Sequence, residues 1–185
     1  MQYRGISLET FTKYKPLIEN SDFTIQKEAA LSSLDIRTVD EPIRNVITAL
    51  NDIPFCFTIQ SCFGHFVFGK QKNPKNLHPL PQTEIIGDIE YRIAYVAVCV
   101  QRSEPVARFL SELSDIQKID PRYIQFGCAN WFWERQVNSY VIQVEPERYS
   151  ERDSARIPYR EAKHIEELKR DVFVNIHSLA KSSLG

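Results

Sequence analysis

Two side chains able to do chemistry stand three residues apart in FTIQSCFGHF, residues 57–66: Cys62 and His65, with Gly64 between them. A thiol beside an imidazole is the composition of a nucleophile and its base. The same two groups are ligands for zinc, which needs two more, and Cys56 and Cys128 are the candidates. Cys56 and Cys62 are an even number apart and share a face of a regular strand. The spacing matches no zinc pattern, and no acid that would orient the histidine is evident nearby. The plainer reading makes Cys62 a small buried residue and His65 a turn residue. Ser61, Cys62 and Gly64 are small or flexible and close a strand. Such a turn lets backbone N–H groups approach a ligand.

A second group lies in NWFWERQVN, residues 130–138. In a strand, Trp131 and Trp133 share one face, with Phe132 on the other. Core packing accounts for that pattern. A stacking platform for adenine or a nucleobase also accounts for it, with Asn130 and Arg135 as polar neighbours. Lys70, Lys72 and Lys75 are available for phosphate or remain solvated.

The elements that must position these groups follow from periodicity. Good helix formers fill Thr24–Leu34, with Ser21 or Asp22 as cap. An upstream helix over Ser7–Ile18 is interrupted by Pro16. Asp40, Glu41 and Pro42 open another helix, whose stripe is Ile43, Val46, Ile47 and Leu50. Pro54 stops it, and a strand over Phe55–Ser61 follows. Gly69–Gln82, with three prolines and three lysines, reads as a surface loop, either a functional lid or partly disordered. Tyr91–Val100 is an apolar run expected as a central strand buried on both faces. Ser103 caps a helix with core residues Val106, Phe109, Leu110 and Leu113. Strands are expected at Tyr123–Cys128 and Ser139–Val144. YSERDSARIP reads as a linker, and Tyr159–Ala180 as a long amphipathic helix with the stripe Ile165, Leu168, Val172, Ile176 and Leu179. This order predicts one α/β or α+β layered domain over residues 1–150, then a linker and a helix over 151–185 that packs on the domain or on a partner.

Composition sets outer bounds. At 185 residues, 43% of them hydrophobic, the chain suits a single folded domain. A formal net charge of -1 excludes a broadly basic nucleic-acid coat, though not a local patch. The four cysteines form no CxxC pair, the Met1 end has no apolar signal region, and no apolar run reaches membrane-spanning length. The expectation is a cytoplasmic protein with free thiols and no membrane partner.

Residues 23–65 also carry a resemblance. Phe23, Lys27 and Leu31, then Val39–Asp40, Asn51, Phe57–Thr58 and Ser61–Cys62–Phe63–Gly64–His65 resemble in order and spacing the N-terminal half of the wybutosine-synthesis methyltransferases, the Taw3-like family. The resemblance implies an α/β fold, S-adenosylmethionine as methyl donor, and a modified nucleoside in tRNA as acceptor. It implies a ligand site at the strand end carrying Ser61, Cys62 and Gly64, with Lys27 of the matched pattern, and the expected pocket also takes in His65 with Trp131 or Trp133 within reach. The family motif has serine where Phe63 stands and arginine where His65 stands. Histidine supplies neither arginine's fork nor its fixed charge. The alternative is a non-catalytic ligand-binding or interaction protein on the same scaffold.

Overall fold

A computed structural model describes residues 14–84, 87–146 and 154–184. Within them the chain is a mixed α/β fold built on two antiparallel sheets. The larger sheet runs β1 (Cys56–Cys62), β4 (Ala94–Val100), β6 (Ser139–Val144), β5 (Ile124–Gly127), in that spatial order. The smaller sheet is β2 (His65–Val67), β3 (Ile89–Arg92), β7 (Ser154–Ile157).

Alternation along the strands divides the residues between two apolar layers. Val96, Val98 and Val100 of β4, Ile142 and Val144 of β6, and Ile124 and Phe126 of β5 enter the main core. There they meet α2 (Arg44–Asp52), α3 (Glu104–Asp115) and α5 (Tyr159–Ser182). The opposite face is covered more thinly. α1 (Phe23–Ser33) places Phe23 against Phe57 and Cys99, and α4 (Asn130–Arg135) places Phe132 against Ala97 and Val141. The expected stripes of α2 and α3 are buried as read, and Ile165, Leu168, Val172, Ile176 and Leu179 of α5 all face inward. Each such side chain contributes roughly 1.5–3 kcal/mol on leaving water.

Several expectations differ from the structure. The 91–100 run is divided: Tyr91 and Arg92 end β3 in the smaller sheet, and β4 begins at Ala94 in the larger one. Only the second part is a central strand, and it pairs with β1. Residues 14–18 are not helical. Pro16 forbids a regular helix there, and side chains satisfy the backbone instead: Asn138 bonds both Ile18 N–H and Ile18 O, and the Tyr140 hydroxyl donates to Lys15 O at 2.7 Å. The rest of the expected Ser7–Ile18 helix lies outside the described residues. Neither Ser21 nor Asp22 caps α1 with its side chain, and Ser103 does not cap α3. The 149–158 stretch is not wholly linker, because Ala155 and Ile157 point inward and Arg156 outward, a short strand alternation inside a polar run. Residues 149–153 lie outside the described residues. No helix among the described residues is long and apolar enough to cross a membrane.

Candidate functional site

The turn at Phe63–Gly64 carries the chain from the larger sheet to the smaller one. Ile93, between β3 and β4, is where it crosses back. The two crossings touch. Gly64 has φ +84°, and a Cβ there would stand 2.9 Å from Ala94 Cβ and 3.1 Å from Tyr91 Cε2. The glycine is therefore required by packing and by its left-handed backbone. The space a side chain would fill belongs to the protein.

Asp40, expected as a helix cap, caps nothing with its carboxylate. It reaches across 23 residues of sequence, where its Oδ2 accepts from Phe63 N–H at 2.8 Å and stands 3.2 Å from His65 Nε2. His65 Nδ1 faces Asn76 O at 3.2 Å. Both ring nitrogens thus face acceptors, an arrangement that suits only the doubly protonated imidazolium. The Asp40 carboxylate, then the neighbouring Cys62 sulfur, hold His65 well above its usual value, at about 10, against the effect of burial. Burial works against the charge of Asp40, yet the hydrogen bonds from His65 and Phe63 N–H keep its carboxyl below the ordinary range. Cys62 Sγ accepts from Gly64 N–H at 3.4 Å.

Asp40, Cys62 and His65 have the composition of a thiol triad but not its wiring. A base for the thiol needs a free imidazole nitrogen, and here one nitrogen is held by a carbonyl and the other by the acid. Their donor atoms lie within 4.8 Å of one another, close enough to share a metal. A metal there must displace the imidazolium proton and its bond to Asp40, beside the Lys169 ammonium. The arrangement suits an ion pair that locks the turn. Cys56 takes no part, because a bulge between Thr58 and Gln60 breaks the strand's parity. Cys56 pairs with Val100 and Cys62 with Tyr95, on opposite faces of β4. Burial pushes the Cys56, Cys99 and Cys128 thiols up, so they are inert. All four cysteines are free.

Lys169 of α5 completes the turn. It is 5% exposed, donates to Gly64 O at 2.9 Å, and lies 4.2 Å from the Phe63 ring centroid and 4.7 Å from that of Phe66. Burial brings its ammonium down to about 8, with Glu166, Cys62 and Asp40 opposing the fall. In the sequence it sits on the edge of an amphipathic stripe, which marks it only as a boundary residue.

Ser61 belongs to a different place. β1 is an edge strand, and side chains cap its open side: Asn51 Oδ1 accepts from Thr58 N–H at 2.8 Å, as Asp40 does from Phe63 N–H. Ser61 lies between them and lines a cleft of about 590 Å³ bounded by α1, the 35–39 segment and β1. Its polar lining includes Gln26, Ser33, Thr38, Asn51, Thr58, Gln60 and Gln136, and among the described residues no lysine or arginine lines it. Asp35, the acid at its rim, is paired with Arg37 at 2.9 Å. Asn51 is 8% exposed, and its Nδ2 has no hydrogen-bond partner among the described residues.

The remaining expected site residues stand apart from the cleft. Lys27 donates to Ile53 O and Pro54 O, tying α1 to the α2–β1 turn. Trp131 and Trp133 are on a helix, not a strand, so two positions apart they point in different directions. The local reason is tight: Ala129 O accepts from Trp133 N–H and Phe132 O from Gln136 N–H, winding a single helical turn between β5 and β6. Trp131 is 47% exposed, with the Phe132 ring and the Arg135 guanidinium against it. Trp133 packs edge-on to Tyr140. Only Gln136, at the end of α4, reaches the cleft.

No family model matches this chain, and no curated protein matches it. Among solved structures it is similar to the PH1069 protein from Pyrococcus horikoshii, at a TM-score of 0.45 and 16% identity over 88% of this chain and 94% of that one. A second structure, of PH1069 from Pyrococcus horikoshii OT3, gives 0.44 and 17% over 89% and 93%. A likeness this distant carries no argument about the site.

Proposed function

We propose that the cleft beside Ser61 binds a nucleoside-bearing small molecule, with S-adenosylmethionine as the foremost candidate. On this reading the chain acts as a methyltransferase on a nucleoside or tRNA, like the family its 23–65 segment resembles. One observation carries the proposal: Asn51, nine-tenths buried at the cleft, has an amide donor with no partner among the described residues. An unpaired buried donor costs roughly 1–3 kcal/mol, which a ligand acceptor recovers. The lining supports the class. Amides and hydroxyls without net charge suit a base and a ribose and give a polyphosphate no counter-charge. The volume is within the range of small-molecule sites.

Calorimetry with S-adenosylmethionine tests the proposal, with Asn51→Leu and Ser61→Val as variants. Binding at micromolar to millimolar concentration, weakened about tenfold or more by Asn51→Leu, supports it. No heat from the folded wild type at millimolar ligand removes the methyl donor. A second reading, binding without catalysis, draws on the turn itself, since His65 is held as an imidazolium and leaves the turn no free imidazole base. Methyl transfer from a labelled donor to bulk tRNA separates the two.

A further inference from the structure

A second hollow, of about 340 Å³, lies between Pro42, Phe63, the 77–79 segment and α5. Its lining is largely apolar, with Phe63, Phe173, Leu77 and Pro79 in it, and its charged groups are Lys169, Arg170 and Glu166. Lys169 is the unusual group. An ammonium has three donors, and among the described residues this one has a single hydrogen-bond acceptor, Gly64 O. Buried charges are normally paired. The acid on the same helix does not neutralise it by contact: Glu166 spends Oε1 on Leu80 N–H at 2.7 Å and Oε2 on Lys163 at 2.6 Å. Arg170 reaches Glu166 only at 3.8 Å and is half exposed. The aromatic faces of Phe63 and Phe66 stabilise the cation but accept no hydrogen bond in the ordinary sense.

We propose that this hollow binds a small organic carboxylate, with the carboxylate on Lys169 and Arg170 and an apolar body against Phe63, Phe173, Leu77 and Pro79. The two unspent donors of Lys169 and the guanidinium fork match the two oxygens of a carboxylate. A monoanion is favoured over phosphate because the lining carries two cations, Lys169 and Arg170, and one acid, Glu166, so a single added negative charge balances it and a dianion would stay under-compensated. The lowered proton affinity of Lys169 fits an ammonium awaiting a counter-ion; Glu166, Cys62 and Asp40 face it without a direct hydrogen bond, and Arg170 opposes its charge. The proposal is independent of the cleft beside Ser61.

The test uses the full chain, titrated with phenylacetate, with its neutral analogue 2-phenylethanol, and with inorganic phosphate. Amide resonances of residues 77, 78 and 169–174 are followed by NMR. Phenylacetate is expected to saturate at millimolar concentration, with the alcohol weaker by about tenfold or more. Lys169→Met, which keeps the stem's packing, and Arg170→Gln, at a half-exposed position, are each expected to remove most of that preference for the acid. Phosphate binding as tightly as phenylacetate overturns the proposal. Equal affinity for acid and alcohol does the same, as does the absence of saturation by about 50 mM. Should Lys169→Met fail to fold, the acid-to-alcohol ratio in wild type and Arg170→Gln still decides.

Discussion

The Asp40–His65 pair makes a stability statement about pH. The folded pKa of His65, about 10, lies above its ordinary 6.5, so the native state holds a proton the unfolded chain releases. Its contribution is complete below the ordinary value and is lost as pH rises through the folded one. His65→Gln is therefore expected to destabilise the protein by about 1.5–3 kcal/mol near pH 6, the range for hydrogen bonds to charged groups. The difference from wild type should shrink steadily by about pH 10. Urea unfolding at several pH values measures it, and a pH-independent difference would count against the imidazolium. Gly64 is the other residue-scale case. Gly64→Ala is expected to cost about 2–4 kcal/mol, combining the left-handed backbone penalty with overpacking against Ala94 and Tyr91. Loss of ligand affinity with unchanged stability would instead place a ligand in that space.

At the scale of elements, the 69–82 loop is anchored at one end and open at the other. Lys70, Lys72 and Lys75 are exposed. Beyond them the chain is held: His65 and Phe66 O bond Asn76, Glu166 accepts from Leu80 N–H, and the Tyr159 hydroxyl donates to Pro81 O. Three prolines fix loop geometry without a core face, yet Asn76 and Leu80 are buried. Limited trypsin digestion is expected to cut after Lys70 and Lys72 before Lys75, whose following residue is buried Asn76. Mass analysis of the first fragments checks this order. Primary cleavage at Lys75, or full protection of all three bonds, would show that the anchoring is wrongly placed.

Across the whole molecule, Tyr91 joins the two sheets. It is fully buried at the end of β3, accepts from Ala94 N–H at 2.8 Å, and donates to Val144 O at 2.8 Å. Removing its hydroxyl strands a donor and an acceptor at the sheet junction. Tyr91→Phe is expected to cost about 2–4 kcal/mol, above the loss of one exposed hydrogen bond, because each stranded buried group carries about 1–3. Chemical denaturation measures the cost, and a change under about 0.5 kcal/mol would mean that water or backbone movement replaces the hydroxyl.

Local pattern alone determined the elements with one strong period. The stripes of α2, α3 and α5 were legible because burial repeats at fixed spacing within a short window, and β4 was legible as a nearly continuous apolar run. The turn at 61–65 was also visible as small residues closing a strand. What it does was not, because its partners arrive from far along the chain: Asp40 from before α2, Asn76 from the loop, and Lys169 from the last helix. Asp40 looked like a cap because caps and ion-pair acids share a side chain. The helical turn holding Trp131 and Trp133 is too short to show a period. The bulge that separates Cys56 from Cys62 leaves no mark in composition. Tertiary structure alone decided that Ser61 opens on one cavity while Phe63, two residues on, borders another, since only pairing register and packing across two sheets set the side on which each residue emerges.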